Sequence, residues 1–445
     1  MAFEISIGSI DEAAPDEPRP VLIRSGALVF TRLMRPGSNE ADDHLRAPPA
    51  QLAFWLIDNW WRVRWEGIPP AGMSEEWRLA HDLSSIGGGY VWPRLSIWGE
   101  DPRIGLISRS DPAGVVGPIR YLTDALCFIE AASFEVSVDE FLDGVAKSGA
   151  GLTSDSQTLA GQIEVLRNER GDAEIADWRR MEARLGFDVD EAPDSLVQAL
   201  GKIGRNYDAP SVEEAAMGAP GVGALDALRA AIEIAEGSRI ECDFSGAVRA
   251  STANFAAEQG SPWSLAEAAA ANLRTALGIA RGPIRNKALG ELVSTRAESF
   301  RSTSASPGLS YGLRLKWGAR GNEHLATRSR WSHDRRFEIA RALGDAIWTE
   351  GGRLGPLSAA GTARQKFQRA FAQSLLCPFD DLIAYLGDGE ITDGAVYAAA
   401  RHFHVSERLV RSVLVNKHVL GRERLAPGLG ARADGEELQD QLEAA

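Results

Sequence analysis

Apolar residues recur at helical spacing along most of this chain and alternate only in a few short stretches near its start. Leu52, Trp55, Leu56 and Asn59 fall on one helical face, and Phe54, Ile57 and Trp61 on another. The run Gln51–Trp65, entered through Pro48-Pro49, therefore predicts a helix that is apolar over most of its surface and buried. Ser74 ahead of Glu75-Glu76-Trp77 predicts a second helix over 74–84, with Ser74 as N-cap and Trp77 turned inward. Gly87-Gly88-Gly89 ends it. Tyr90–Trp98 and Arg103–Arg109 flank Gly99-Glu100-Asp101-Pro102 and predict a hairpin. Ser133–Val138 reads as a further strand leading into a helix over Asp139–Lys147.

Beyond residue 150 the helical period dominates. Gln157–Arg170, Ala173–Leu185 (with Gly186 as C-cap), Ser195–Ile203 and Leu225–Glu236 predict helices, and Met217–Gly223 reads as a linker. Pro262-Trp263 opens a helix over 264–279. Gly282-Pro283-Ile284 and another helical stretch follow. Near the end, Gly394–Phe403, the turn His404-Val405 and Ser406–Val415 have helix-turn-helix proportions, with Ser406 as N-cap. The fold class is α+β. A Trp-rich mixed N-terminal domain covers 1–150, a helical middle region 151–260 and a mainly helical C-terminal domain 261–425. A flexible acidic tail covers 426–445.

The chain has 445 residues, 44% hydrophobic and 25% charged, which suits a globular protein of two or three domains. Its net charge of −14 argues against a broad nucleic-acid surface. Cys127, Cys242 and Cys377 are odd in number and far apart, so no disulfide framework or Cys metal cluster is implied. The start lacks a signal-peptide pattern, and no apolar run reaches the roughly 20 residues of a membrane span. The expectation is a cytoplasmic bacterial protein with no membrane partner and no cofactor. Seven of the 12 tryptophans lie in 1–150, as core aromatics or, alternatively, as a partner surface. The Gly87–Gly89 triplet lacks the Lys-Ser/Thr of a phosphate loop and reads as a turn. That unit carries no catalytic motif.

The segment Arg335-Arg336-Phe337-Glu338-Ile339-Ala340-Arg341-Ala342-Leu343-Gly344-Asp345 carries a resemblance. It resembles the metal-binding helix of the ImmA/IrrE family of zinc metallopeptidases, where Arg-Phe-x-x-Ala leads into His-Glu-x-x-His. The two His positions fall on Arg341 and Asp345, and the Glu position on Ala342. Gln365–Pro378 resembles the family's second helix through Phe371-Ala372-x-x-Leu375-Leu376-x-Pro378, and the third ligand position falls on Gln365. Ala398–Val410 resembles the closing helix pair. The resemblance covers residues 260–422 and implies a zincin-like fold.

The chemistry that this motif serves needs imidazoles one helical turn apart on a Zn²⁺ ion, with a Glu as general base on its water. A guanidinium has no acceptor lone pair, an Ala has no basic group and an amide is a poor zinc ligand. All four positions, Arg341, Ala342, Asp345 and Gln365, depart together, so no catalytic residue and no metal ligand is expected. What remains is a pseudopeptidase acting as a binding or regulatory module toward a protein or peptide. Its emptied groove could hold an extended peptide without cutting it. The family resemblance implies a stress-response or phage-defence setting. A metallopeptidase with a non-standard site is an alternative, with His333 imagined as a rescue ligand beside Glu338 or Asp345.

The candidate binding residues are Glu338, Arg341, Asp345 and Arg336. Glu338, Arg341 and Asp345 stand at i, i+3 and i+7, so Arg341 could tie both carboxylates where the metal would sit. If that triad is buried, losing Arg341 costs about 3–5 kcal/mol, and if exposed, under about 1 kcal/mol. The basic run from Arg314 to Arg341 could dock an acidic partner or be a solvated face. A further alternative is a DNA-binding regulator using the C-terminal helix pair, with Arg408 and Arg411 facing outward. The seven histidines show no ligand spacing.

Overall fold

The structure, a computed structural model, describes residues 2–8, 17–35, 37–38, 40–112, 117–148, 158–252, 260–279, 281–301, 308–317, 322–421 and 424–425. The predicted acidic tail over 426–445 lies outside the described residues. Two compact units form, one from Met1–Ile68 and Met73–Pro193, the other from Pro69–Gly72 and Asp194–Ala445. Mixed helices and antiparallel sheets make the fold α+β.

In the first unit β1 (Phe3–Ile7) pairs with β2 (Arg19–Ser25), which also takes β3 (Leu28–Val29) and β6 (Leu45–Ala47). Period-two alternation explains the sheet: Phe3, Ile5, Val21 and Ile23 are buried, while Glu4 and Arg24 pair on the solvent side at 2.6 Å. β4 (Leu33–Met34) lies between β5 (Ala41–Asp42) and β9 (Arg120–Tyr121). Strands of two or three residues offer too short a window for alternation to be read, which is why these escape sequence reasoning. β7 (Arg94–Glu100) and β8 (Arg103–Arg109) form the predicted hairpin, joined by β10 (Ala125–Glu130), but β7 starts at Arg94 rather than Tyr90 and Gly99 and Glu100 pair within it, leaving Asp101-Pro102 as the turn.

The predicted 51–65 helix is two, α1 (Pro49–Asp58) and α2 (Trp60–Trp65), broken at Asn59, whose side chain donates to the Trp55 carbonyl at 2.9 Å. α3 (Glu75–His81) starts as expected, with the Ser74 hydroxyl accepting from the Trp77 N–H at 3.1 Å. The expected strand over 133–138 is instead the beginning of α4 (Ala131–Lys147). Ser133–Val138 alternates, but Phe134, Val138, Phe141, Leu142 and Val145 form one buried helical face, and Val136 is left 56% exposed. The longer period decides. Trp60, Trp77, Trp92 and Trp98 are all core residues. Gly87, Gly88 and Gly89 all take positive φ, the geometry of a turn.

The middle region does not form a body of its own. Its first helices, α5 (Leu159–Gly171) and α6 (Ala173–Arg184), belong to the first unit; α7 (Asp194–Asn206), α8 (Ala209–Gly218), α9 (Ala224–Glu236) and α10 (Ser245–Thr252) belong to the second. The predicted linker begins inside α8, whose Gly218 is packed so closely that a Cβ there would stand 2.7 Å from Ser358 Cβ.

The second unit continues with α11 (Pro262–Ala276), α12 (Asn286–Leu292), α13 (Ser332–Trp348), α14 (Ala363–Leu376), α15 (Phe379–Leu386), α16 (Asp393–Phe403) and α17 (Glu407–Asn416). An antiparallel sheet runs in the order β11 (Glu241–Cys242), β13 (Asn322–Ala326), β12 (Gly312–Trp317), β14 (Leu354–Leu357). α14 packs on α11 and α13, and Leu343, Ala346, Phe367, Phe371 and Leu375 are fully buried among them. This core fixes α13 and α14 side by side and sets edge strand β14 against both. Among the described residues no helix is long and apolar enough to cross a membrane.

Candidate functional site

α13 and α14 bring together residues that are far apart in the chain and that the sequence motif assigns to one site. The Arg341 guanidinium Nη2 donates to Gln365 Oε1 at 2.6 Å, to the Ser358 carbonyl at 2.6 Å and to Gln368 Oε1 at 3.1 Å. Gln368 Nε2 in turn donates to Asp345 Oδ1 at 2.6 Å. Thus Arg341, Asp345 and Gln365 form one cluster, and Ala342 sits buried beside them with no polar group.

The Asp345 carboxylate receives five hydrogen bonds. Its Oδ1 accepts from Arg364 Nε and Gln368 Nε2, both at 2.6 Å. Its Oδ2 accepts from Arg314 Nη2 at 2.8 Å, Arg314 Nε at 3.0 Å and Arg364 Nη2 at 3.1 Å. Asp345 is 0% exposed. Burial alone would push its carboxyl up, but Arg364 and Arg314 more than reverse that and hold it below the usual carboxylate range. Arg314 also donates to Glu323 at 2.9 Å. Burial pushes Glu323 up despite Arg314, and Asp345 adds repulsion.

The predicted triad does not form. Arg341 ties neither carboxylate: Asp345 is taken by Arg314 and Arg364, and Glu338 accepts from the Arg328 and Ser329 backbone N–H groups, both at 3.3 Å. Helical spacing put the three residues on one face, but partners from β12 and α14 reach Asp345 first. Arg341 is buried, yet its hydrogen bonds go to neutral oxygens, and its Nε meets no acceptor among the described residues. Burial, with repulsion from Arg369, pushes its guanidinium down to about 9. Arg336 is 1% exposed and donates to the Ile284 and His404 carbonyls and to Asn286 Oδ1. Arg314, Arg335, Arg336 and Arg341 are buried while Arg328 and Arg330 are exposed, so the run 314–341 does not form one continuous basic face.

The donor set does not fit zinc. Arg341 can only donate, Ala342 offers nothing, and the Asp345 oxygens are filled by five donors. Gln365 Oε1 already accepts from Arg341 and from the Ser358 N–H at 2.9 Å. His333 lies 3.4 Å from Asp334, not beside Glu338 or Asp345. Among the described residues no group of three or more His, Cys, Asp or Glu is placed to hold a metal.

Nor is the neighbouring strand edge open to a peptide. β14 is an edge strand, and its outward carbonyls are capped by the chain's own side chains. Leu354 O accepts from Ser211 Oγ at 2.8 Å and Arg364 Nη2 at 3.0 Å. Pro356 O accepts from Gln365 Nε2 at 2.8 Å and Gln368 Nε2 at 3.1 Å. A peptide adding to this edge would have to displace all four groups.

Sequence reasoning missed the roles of Arg314, Glu323, Arg364 and Gln368, because nothing local marks a residue whose partner lies 9 to 31 positions away. It also missed a buried cluster in the first unit. There the His81 ring nitrogens lie 2.7 Å from the Ile97 carbonyl and 2.9 Å from Glu66 Oε2, with Trp77 stacked on the ring at 4.0 Å. Arg62 bridges Glu66 at 2.7 Å and Asp188 at 3.0 Å. No protein-family model, curated protein or solved structure matches the chain.

Two solution results follow. Replacing Arg341 by Met is expected to change stability by no more than about 1 kcal/mol, or to raise it, because it removes a buried cation with no acid contact and keeps most of the volume. Urea unfolding checks this, and a loss of about 3 kcal/mol or more would mean that Arg341 does tie a carboxylate. The second result concerns pH. A carboxyl held below its unfolded value gives its full stabilisation above that value and loses it as pH falls through the folded one. Asp345 is such a group, against an ordinary value of 3.8. The stability gap between wild type and Asp345→Asn is therefore expected to narrow as pH falls below that value, and a gap that stays constant would contradict the assignment.

Proposed function

We propose that the second unit is a catalytically inactive, ImmA/IrrE-like domain acting as a binding or regulatory module toward a protein partner. The observation that carries this is the direct contact of Arg341 with Gln365 at 2.6 Å, with Asp345 one Gln368 away. Positions that the motif assigns to a shared metal are adjacent in space, and a guanidinium stands among them. In this reading the former catalytic centre has become a structural tie: Arg314, Arg364 and Asp345 bind β12, α13 and α14 together. The capped edge of β14 argues that a partner docks elsewhere than in a substrate groove. A stress-response or phage-defence setting is the one the family resemblance suggests.

The DNA-binding alternative is weakened at a specific residue. α16 and α17 match the expected boundaries to within one residue, and Ser406 accepts from the Leu409 N–H at 3.3 Å. Arg408 is exposed, but Arg411 is 3% exposed and pairs with Asp393 at 3.1 Å, so it does not face outward. Binding to fragmented DNA is expected to show no steep salt slope.

The test of the main reading is a cleavage assay. Full-length protein supplied with zinc is expected to leave unfolded protein substrates intact, and in its own cells to crosslink to a discrete protein partner. Cleavage that a chelator abolishes would overturn it.

A further inference from the structure

The second unit holds an open cleft of about 510 Å³, within the size range of small-ligand sites. Its walls come from the first turns of α13 and α17, the second half of α16 and Asn286 at the start of α12, and include His333, Arg336, Tyr397, Arg401, His404 and Glu407.

The charge of these walls is lopsided. Arg336, almost fully buried, donates to the Ile284 carbonyl at 2.6 Å, the His404 carbonyl at 3.1 Å and Asn286 Oδ1, all neutral acceptors. Among the described residues no carboxylate pairs with it. A buried guanidinium without a counter-ion is costly, and an anion beside it would relieve that cost. The excess is felt nearby: burial, then Arg336, Arg285 and His402, hold the His404 imidazole below its usual value. On the rim, the Arg401 guanidinium is exposed and lies 5.9 Å from the Tyr397 ring centre, and Tyr397 is 52% exposed. The acids in the neighbourhood are Glu407 on the wall and Asp334 beside His333.

The backbone adds to this. α13 begins without a side-chain cap, so the N–H groups of Ser332 and His333 meet no acceptor among the described residues. At α17 the Ser406 hydroxyl takes only the Leu409 N–H, leaving that of Glu407. Both helices thus bring their positive ends to one cleft.

We propose that this cleft binds a small phosphate-bearing molecule. His333, Arg401 and His404 donate to the phosphate, Arg336 supplies the uncompensated charge behind them, and Tyr397 walls the rest of the ligand. Donors converging from three elements suit a tetrahedral group with three free oxygens better than a planar carboxylate.

The test is isothermal titration of the full chain at fixed ionic strength with inorganic phosphate, adenosine monophosphate and adenosine. The expected result is saturable binding of phosphate and the monophosphate at one site per chain, with none of adenosine. Arg401→Gln and His404→Asn, the second chosen because Asn tolerates the positive φ of 54° at that position, are each expected to weaken binding about tenfold. Glu407→Gln is expected to tighten it. A monophosphate that outbinds phosphate identifies a larger phosphorylated ligand, and equal affinities identify phosphate itself. Absence of saturable binding by both phosphate probes, equal binding of adenosine, or affinity unchanged in both weakening variants would overturn the assignment. In the last case Arg369→Gln, on the separate cavity between α11 and α14, would be the variant that weakens binding.

Discussion

Replacing Asp345 by Asn is expected to cost about 3–5 kcal/mol of unfolding free energy, the largest single-site loss in the second unit. The carboxylate is completely buried and receives five hydrogen bonds, four of them from Arg314 and Arg364. An Asn of the same shape keeps the volume but removes the charge and turns one acceptor into a donor facing a guanidinium. Arg314 retains Glu323 at 2.9 Å, while Arg364 keeps hydrogen bonds to the neutral Ser211 hydroxyl and Leu354 carbonyl and feels Glu214 and Asp208 without an ion pair to either among the described residues. Two buried cations then share too little negative charge. Equilibrium urea unfolding of both proteins measures the difference, and a loss below about 1 kcal/mol would mean that the cluster is solvated and behaves like a surface pair.

A second large loss is expected at Gly355, in β14. A Cβ on this residue would stand 2.0 Å from Asp345 Oδ2 and 2.7 Å from Arg314 Nε. Such a clash is cheap when the neighbour is the loose end of a flexible side chain. Here both neighbours are locked by the ion cluster, and β14 is held by its pairing to β12. Gly355→Ala therefore has to break the cluster or shift the strand, at a cost of about 3 kcal/mol or more. Because both changes strike one network, the double variant with Asp345→Asn is expected to lose clearly less than the sum of the two single losses. Full additivity would show that Gly355 acts independently of the cluster.

The legible parts of this molecule are those written locally. The cap at Ser74, the hairpin across 99–102, the buried tryptophans and the paired helices α16 and α17 follow from residues within a few positions of one another. The strand expected over 133–138 failed because six alternating residues also fit one stripe of a longer helix, and only the apolar positions out to Val145 separate the two. At the site, the family resemblance assigned Arg341, Asp345 and Gln365 to one neighbourhood. It could not say what they bind. Helix geometry suggested Arg341 as partner of Asp345, and the partners are Arg314 and Arg364, supplied by a strand and a second helix. Pairing of buried charges is decided by tertiary approach, and the sequence of one helix does not contain it. The same holds for the basic run over 314–341, which looks like a face in the sequence: Arg314, Arg335, Arg336 and Arg341 are buried in the fold, and Arg328 and Arg330 are exposed.

In the proposed reading the Arg341, Ala342, Asp345 and Gln365 positions hold no metal, and Asp345 serves with Arg314 and Arg364 as a structural tie. Its most direct test is metal content, by mass spectrometry of protein loaded with zinc and then desalted. Less than about a tenth of an equivalent is expected, since no free lone-pair set remains at the cluster. A value near one equivalent, lost on replacing Asp345, would contradict it.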